Sequence, residues 1–210
     1  MRWKRVVAGR VQPALGVYRD WKTQIANDCH QQCVYCALSE SRYGGLDNFH
    51  IDHFKPKSKF EELEQIIANL FLACAICNRF KSNDWPADPL EDHSRPAYPD
   101  PSSHDYNELF TVEHRTYEVS GRYPATRYVT ERLYLNRPQL MLERRSFFLE
   151  ERIDEIGDFA QRAGEAVRET GSEESKTLLL GFLTRVIDLK NTFAQANRAR
   201  PYELEDVRRR

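Results

Sequence analysis

The sequence predicts an α+β fold in which a cysteine-containing N-terminal core precedes a mainly helical C-terminal part. Three observations predict it. Two Cys-x-x-Cys pairs, at residues 33–36 and 74–77, bracket a segment rich in turn residues. Residues 110–119 alternate β-branched or aromatic residues with charged ones, which is typical of short strands. Beyond Thr130, apolar residues recur at helical spacing over two long runs.

A shift in composition predicts where the two parts meet. Residues 86–101 contain repeated X-Pro steps, which disfavour helix before each proline, so we expect an ordered but irregular crossing there. We place the first domain at residues 1–100 and the second at residues 101–210. In the first domain, apolar residues between Val11 and Asn27 recur every three or four positions and predict a short helix. The segment Glu61–Leu70 predicts another helix.

The C-terminal part is predicted to be a pair of amphipathic helices. Gly171 ends the first helix, since glycine readily caps a helix C-terminus, and the short loop that follows favours antiparallel packing. The pair serves either as core packing or as a docking surface for a partner, and its residues do not decide between these roles. The predicted apolar faces are Leu149, Ile153, Ile156, Ala160, Ala163 and Val167 in the first helix, and Leu178, Leu179, Phe182, Leu183, Val186, Leu189 and Phe193 in the second.

Charge and cysteine content exclude some classes of protein. Lys and Arg total 31 and Asp and Glu total 32, giving a net charge of −1, so any affinity for nucleic acid must come from local patches. No stretch approaches a membrane-spanning apolar run and no secretory signal is evident, so we expect a cytoplasmic protein without membrane contact. In that compartment the five cysteines are expected to bind metal rather than to form disulfides.

The two cysteine pairs predict a structural zinc site. Cys33, Cys36, Cys74 and Cys77 would supply four sulfurs in tetrahedral array. The stretch between the pairs is longer than in a compact zinc ribbon, so the ion would join the two ends of a sizeable insertion. Structural zinc contributes on the order of 10 kcal/mol to folding in small zinc domains. Cys29 is treated as a spare thiol, because four sulfurs already complete the site.

Between and after the pairs runs a further pattern of polar residues. HIDHFKPKS occupies residues 50–58, Asn69-Leu70 follows, and the second cysteine pair continues as NRFK at residues 78–81. This order of Cys-x-x-Cys, Asp-His, Asn-Leu and Cys-x-x-Cys-Asn closely resembles the HNH endonuclease family. The resemblance implies a zinc-stabilised ββα-metal core in which one strand carries the Asp-His, a second strand follows, and a helix carries the final Asn.

Phosphodiester hydrolysis explains why these residue types would be needed. His53 has an imidazole whose ordinary pKa leaves it neutral at pH 7, so it would be the general base. Asp52 and Asn78 offer hard oxygen ligands that suit a catalytic Mg²⁺ or Mn²⁺. Asn69 corresponds by position to the middle Asn of the family and would brace the loop that aims the histidine. His50 is expected to be structural or to contact phosphate.

Some of these residues also have simpler interpretations. Asn78 alone could be only a helix cap, and Tyr35, inside the first cysteine pair, is expected to be a packing residue. A local cluster of basic residues, which would contact phosphates without reading sequence, could equally be ordinary solvated charges. The cluster consists of Lys55, Lys57, Lys59, Arg79 and Lys81.

The wider sequence resembles one group of HNH proteins. Residues 49–59, 78–88 and 133–145 look like the HNH effector of the Septu and retron-associated anti-phage systems, in which the nuclease works beside an ATPase partner. This resemblance implies a defence role and a docking role for the C-terminal helices. DNA is the expected substrate, and RNA stays open as the alternative. Two alternatives stay open: a stand-alone restriction or homing nuclease, and a non-catalytic zinc-ribbon module that binds nucleic acid. The terminal arginines, residues 208–210, are interpreted as a solvated tail.

Overall fold

The computed structural model describes residues 2–198, and the chain divides into two compact units, residues 1–141 and 142–210. The boundary predicted after residue 100 thus lies inside the first unit. Tyr98, Tyr106 and Phe110 explain the difference, because all three side chains are part of one hydrophobic core with the residues before them. The predicted arginine tail lies outside the described residues.

The centre of the first unit is an antiparallel hairpin of β1 (Phe49–His53) and β2 (Leu70–Cys74). Its register pairs Phe49 with Cys74 and His53 with Leu70. Every residue of β2 is buried, whereas β1 alternates between buried and more exposed positions. A strand buried on both faces is a near-continuous apolar run, as the sequence Leu-Phe-Leu-Ala-Cys is. The hairpin therefore places the end of β1 at the edge of the core.

Helix α1 (Lys22–Asp28) packs against β2, and helix α2 (Ala75–Lys81) follows β2 without a loop. Cys74 is both the last residue of β2 and the N-cap of α2, and its sulfur accepts a hydrogen bond from the Cys77 N–H at 3.4 Å. Strand, strand and helix thus follow in the order that the HNH resemblance implies, so the predicted ββα core is present.

The N-terminal helix is shorter than the apolar periodicity predicts. A 3₁₀ turn (Tyr18–Trp21) leads into α1, and residues 11–17 form no helix. Pro13 lacks an N–H for helical hydrogen bonding, and Gly16 adopts a positive φ of 82°, which is incompatible with a right-handed helix. The prediction of one helix over this segment was therefore wrong in its first half.

The helix predicted over Glu61–Leu70 was also wrong. The segment contains two 3₁₀ turns, Glu61–Leu63 and Ile67–Asn69, and Leu70 already belongs to β2. Its last residue, Leu70, is buried in a strand because it pairs with His53 of β1. Local periodicity contains no information about such a distant partner.

The rest of the first unit contains short elements. Helix α3 (Tyr106–Leu109) precedes β3 (Phe110–Val112), which pairs antiparallel with β4 (Val119–Gly121). This pair confirms the strands predicted between residues 110 and 119. Helix α4 (Pro124–Arg132) packs on β4. Neither α3 nor α4 was predicted as a separate helix, although the segment before them is irregular as expected.

Two long helices, α5 (Pro138–Thr170) and α6 (Glu173–Arg198), account for the described part of the second unit. The Phe159 and Phe182 ring centroids are 5.6 Å apart, a contact between positions at similar distances from the turn, which is what antiparallel packing produces. The predicted apolar face of α5 is buried or half-buried, but in α6 Leu178 and Leu189 are exposed. Phe193 has a side chain outside the described set.

Across residues 2–198, no helix combines the length and the apolar character that crossing a membrane requires.

Candidate active site and metal centre

The end of β1 and the start of α2 line one open cleft of about 740 Å³. Asp52 and His53 reach it from β1 and Asn78 reaches it from α2, because α2 begins immediately after the strand that pairs with β1. The structure thus brings Asn78 to the same cleft as the adjacent residues Asp52 and His53, which precede it by a whole strand. The other lining residues are Tyr18, Tyr43, His50, Ile51, Pro56, Lys57, Ala75, Ile76, Arg79, Ser82 and Asn83.

The His53 imidazole is fixed in one orientation. Its Nε2 lies 3.1 Å from the Glu64 carbonyl oxygen, and since a carbonyl only accepts, Nε2 carries the proton and donates. Nδ1 is then the nitrogen with a free lone pair. Burial lowers the pKa of His53, with the Glu64 hydrogen bond and Asp52 acting in the opposite direction. The imidazole is therefore neutral at pH 7 and able to accept a proton through Nδ1.

Asp52 is only 3% exposed and is held by two side chains. The Tyr35 hydroxyl donates to its Oδ2 at 2.5 Å, and the Lys81 ammonium lies 3.1 Å from the same oxygen. Burial and the negative charge of Asp52 raise the pKa of Tyr35 well above its ordinary value, so its hydroxyl stays protonated and donates. Tyr35 does pack in the core as expected, but its bond to Asp52 had no signal in the sequence.

The donors at the cleft suit a divalent cation with oxygen preference. A carboxylate can accept about four hydrogen bonds or metal contacts, so Asp52 keeps acceptor capacity beyond its bonds to Tyr35 and Lys81. One carboxylate with one amide oxygen leaves most positions of a Mg²⁺ ion for water and phosphate. Asn78 is not the helix cap that its position could also have indicated, because the N-cap of α2 is Cys74.

Asn69 holds the segment between β1 and β2 together. Its Oδ1 accepts from the Lys55 N–H at 2.8 Å, and its Nδ2 donates to the carbonyls of Lys55 and Leu63 at 3.0 and 3.3 Å. These bonds join the residues just after His53 to the residues just before Glu64. The amide therefore fixes both ends of the segment whose carbonyl orients the imidazole.

An N-terminal clasp, residues 10–18, holds the same segment from outside. Gln12 Nε2 donates to the Gln65 carbonyl at 3.0 Å, and Gln12 Oε1 accepts from the Ile67 N–H at 2.8 Å. The Gln65 side chain accepts from the Tyr18 N–H at 2.7 Å. The Tyr18 ring stands edge-on to the His53 ring, with centroids 4.8 Å apart. Sequence reasoning missed the clasp, since a glutamine in a loop has no distinctive spacing.

The four predicted zinc ligands meet in one buried cluster. The sulfurs of Cys33, Cys36, Cys74 and Cys77 all lie within 4.8 Å of one another, and among the described residues this is the one such group. Four convergent thiols match the donor set of a structural zinc ion. The cluster confirms the predicted metal-binding set, and it joins the start of the hairpin region to the start of α2.

Cys29 lies outside this cluster, as expected. Its sulfur accepts from the Leu72 N–H at 3.4 Å, and burial raises the pKa of its thiol to about 11. Its sulfur bonds to the β2 backbone and is not one of the four that converge in the cluster. Cys29 is therefore a packing residue behind β2.

The basic residues are divided between surface and core. Lys57 and Arg79 are exposed and line the cleft, and Lys57 pairs with Glu64 at 2.7 Å. Lys55 pairs with Asp88 at 2.8 Å, and Lys59 is exposed beyond the cleft lining. His50 is exposed on the cleft wall.

Lys81 contradicts its predicted role as a phosphate contact. Its side chain is 0% exposed, and its ammonium donates to the His53 carbonyl oxygen at 2.7 Å besides contacting Asp52. A cation enclosed in this way cannot reach a phosphate. Lys81 lies three residues after Asn78 and so occupies the same face of α2, the face that packs against β1.

Of three comparisons with known proteins, one found a match, and it covers the hairpin and α2. No curated protein and no solved structure matches the chain. One family model, described as HNH endonuclease, matches residues 33–84. The matched range contains both cysteine pairs and the cleft residues from β1 and α2, but none of the C-terminal helices. The match supports the presence in this chain of a metal-dependent nuclease domain of the HNH family, with nucleic acid as its partner.

Proposed function

We propose that this protein is an HNH endonuclease that hydrolyses phosphodiester bonds in DNA, with His53 as the general base. The observation that carries the proposal is the orientation of His53: its Nε2 is committed to the Glu64 carbonyl, which leaves Nδ1 as the free acceptor of a ring that lines the same cleft as Asp52 and Asn78. A base must be neutral at working pH and within reach of a water molecule. Both conditions are supported by the burial of the ring at an open cleft.

Each residue has a distinct task in the proposed reaction. Nδ1 of His53 removes a proton from the attacking water, while Asn69 and the clasp keep the ring aimed. Mg²⁺ or Mn²⁺ held by Asp52 and Asn78 would neutralise the phosphate and the leaving oxygen. Tyr35 bonds to one oxygen of the Asp52 carboxylate and Lys81 contacts both, so the carboxylate is held in place at the cleft wall. The exposed Lys57 and Arg79 contact the phosphates on either side.

The test is a cleavage assay of the purified protein on double-stranded DNA, single-stranded DNA and RNA, with Mg²⁺, Mn²⁺ or chelator. We expect metal-dependent cleavage of double-stranded DNA and a loss of about 10²- to 10⁴-fold in rate for His53→Ala, the usual contribution of a general base. His114→Ala, which removes an exposed histidine between β3 and β4, is the control. Full activity of His53→Ala would refute the base assignment, and no cleavage by the wild type would favour a non-catalytic zinc module.

We also propose that the nuclease is an anti-phage defence effector that works with an ATPase partner. The support is the resemblance of residues 49–59, 78–88 and 133–145 to Septu and retron-associated effectors. Apolar side chains left exposed on α5 and α6, such as Phe159 at 55%, Leu178 at 71% and Ile187 at 58%, would give such a partner an apolar surface.

Co-purification from cells that express the chain with the ATPase of such a system tests this second proposal. We expect a stable complex that is lost when Leu178 and Ile187 are replaced by Asp, with unchanged cleavage by the isolated nuclease. A co-purification in which the wild-type nuclease binds no ATPase would instead favour a stand-alone restriction or homing nuclease.

A further inference from the structure

Arg137 lies beside the cysteine cluster although it is far from the cysteines in sequence. It precedes the first residue of α5 and falls outside the range matched by the HNH model. Its guanidinium nitrogens lie 3.6 and 3.7 Å from Cys77 Sγ, 3.7 Å from Cys74 Sγ and 3.8 Å from Cys36 Sγ. One side chain therefore contacts both Cys-x-x-Cys pairs at once.

The rest of the guanidinium has few other partners. One terminal nitrogen also donates to the carbonyls of Leu133 and Tyr134, at 3.2 and 3.4 Å, where α4 ends. Its Nε is buried and has no hydrogen-bond partner among the described residues. The side chain is half-buried, and a cation partly removed from water is unfavourable unless nearby negative charge compensates it. Neutral thiols would provide little compensation, whereas thiolates would provide it directly.

A four-thiolate zinc centre, in turn, needs a positive charge beside it. Four thiolates around one Zn²⁺ leave two excess negative charges, and placing that charge in a buried site costs free energy. The planar guanidinium presents five donors in a fixed arrangement and is always charged. It can therefore donate to several sulfurs while offsetting half of the excess charge, which a lysine ammonium on a flexible stem cannot do equally well.

We propose that Arg137 is a positioning residue of the zinc centre: it donates hydrogen bonds to the metal-bound thiolates of both cysteine pairs, partly neutralises them, and ties the end of α4 to the centre. Metal affinity in this protein then depends on a residue C-terminal to the nuclease motif. The proposal depends on zinc binding by the four cysteines and not on nuclease activity.

Zinc affinity and release measured on the full-length protein test the proposal. The wild type, Arg137→Gln and Arg137→Lys are loaded with one equivalent of zinc and competed with a chromophoric chelator, and both the equilibrium and the release rate are followed. We expect Arg137→Gln to weaken zinc binding by about 10- to 100-fold, as loss of outer-sphere partners usually does. Arg137→Lys should lie between. Arg127→Gln, which removes an exposed arginine of α4, is the matched control and should bind zinc like the wild type.

An unchanged zinc affinity in Arg137→Gln would overturn the proposal, even if that variant melted at a lower temperature, because packing alone would then explain the residue. Failure of the wild type to bind zinc would instead refute the metal site itself. If Arg137→Gln does not fold, cobalt-substituted Arg137→Lys decides the question. Loss of hydrogen bonds to sulfur should move its sulfur-to-cobalt charge-transfer band to longer wavelength, and an unshifted band would count against the role of Arg137.

Discussion

At the scale of single residues, the ion pair between Asp52 and Lys81 is the most consequential contact of the cleft. Both side chains are almost fully buried, at 4% and 0% exposure. Removing one partner of a buried pair leaves an uncompensated charge and is strongly destabilising. Lys81 is therefore needed both for folding and for holding a carboxylate that faces the cleft.

Replacement of Lys81 tests this interpretation. Lys81→Met should lower the free energy of unfolding by about 3–5 kcal/mol, because Asp52 would keep its charge with only the Tyr35 hydroxyl beside it. Chemical denaturation measures the change. Lys57→Met is the matched control, since its pair with Glu64 lies at the surface and is screened by solvent. Similar stability losses in both variants would contradict the buried role of Lys81.

The sequence predicted which residues line the cleft, but not which partners hold each of them in position. Asp52, His53 and Asn78 were predictable because three polar residues occur at fixed places between and after two cysteine pairs. Tyr35 and Lys81 could not be assigned in the same way, because their roles depend on which side of the hairpin they face. The spacing of Lys81 from Asn78 was the one available signal, and it became interpretable only with α2 in place.

At the scale of elements, the N-terminal clasp links the start of the chain to the orientation of the proposed base. Gln12 alone provides two hydrogen bonds to the segment that contains the Glu64 carbonyl. The clasp lies outside the range of the HNH model, so the matched motif by itself does not contain everything that positions His53.

Gln12→Ala should loosen that segment and reduce kcat by up to about 10²-fold, the effect of a misplacement near 1 Å. KM should change little. The neutral-form ¹⁵N shifts of His53 should also move toward a mixture of tautomers, because Nε2 would lose its fixed acceptor. Gln161→Ala, in α5, is the control. A variant with wild-type kcat and an unaltered tautomer would show that the clasp is dispensable.

The cysteine cluster offers a second prediction at this scale. Cys74→Ser should lose bound zinc and melt at a lower temperature, because the site joins the two ends of the hairpin region and zinc binding is coupled to folding. Cys29→Ser should keep the wild-type zinc content, since the Cys29 sulfur accepts from the Leu72 N–H and lies outside the cluster. Metal analysis and thermal melting measure both. Equal zinc content in the two variants would contradict the assignment of the cluster.

Elements were predicted well where the signal was local and poorly where it was not. The two long C-terminal helices repeat their apolar pattern over many turns, so their positions and the turn at Gly171 followed from sequence. The stretch Glu61–Leu70 was predicted as helix because a short apolar run reads equally well as helix or buried strand. In the structure only Leu70 pairs with β1, and the residues before it form two 3₁₀ turns.

At the scale of the whole molecule, a net charge of −1 means that nucleic-acid affinity depends on a few side chains at the cleft. Affinity should fall with salt in proportion to the number of phosphates contacted. Lys57→Ala and Arg79→Ala should each reduce the slope of log Kd against log salt concentration by about one, whereas Lys81→Met should leave it unchanged. Fluorescence anisotropy of a labelled DNA duplex at several salt concentrations, without added Mg²⁺ or Mn²⁺ so that the DNA is not cleaved, gives these slopes. A reduced slope for Lys81→Met would show that Lys81 contacts phosphate after all.

The burial of all five thiols has a practical consequence for work on this chain. Maleimide dyes and spin labels react with solvent-exposed sulfhydryls, and the native metal-loaded protein presents none. A single cysteine introduced at an exposed site of α5 or α6 could thus be tagged selectively without a cysteine-free background. The same reagents would report metal loss, because modification of the native sulfhydryls would begin when the ion leaves.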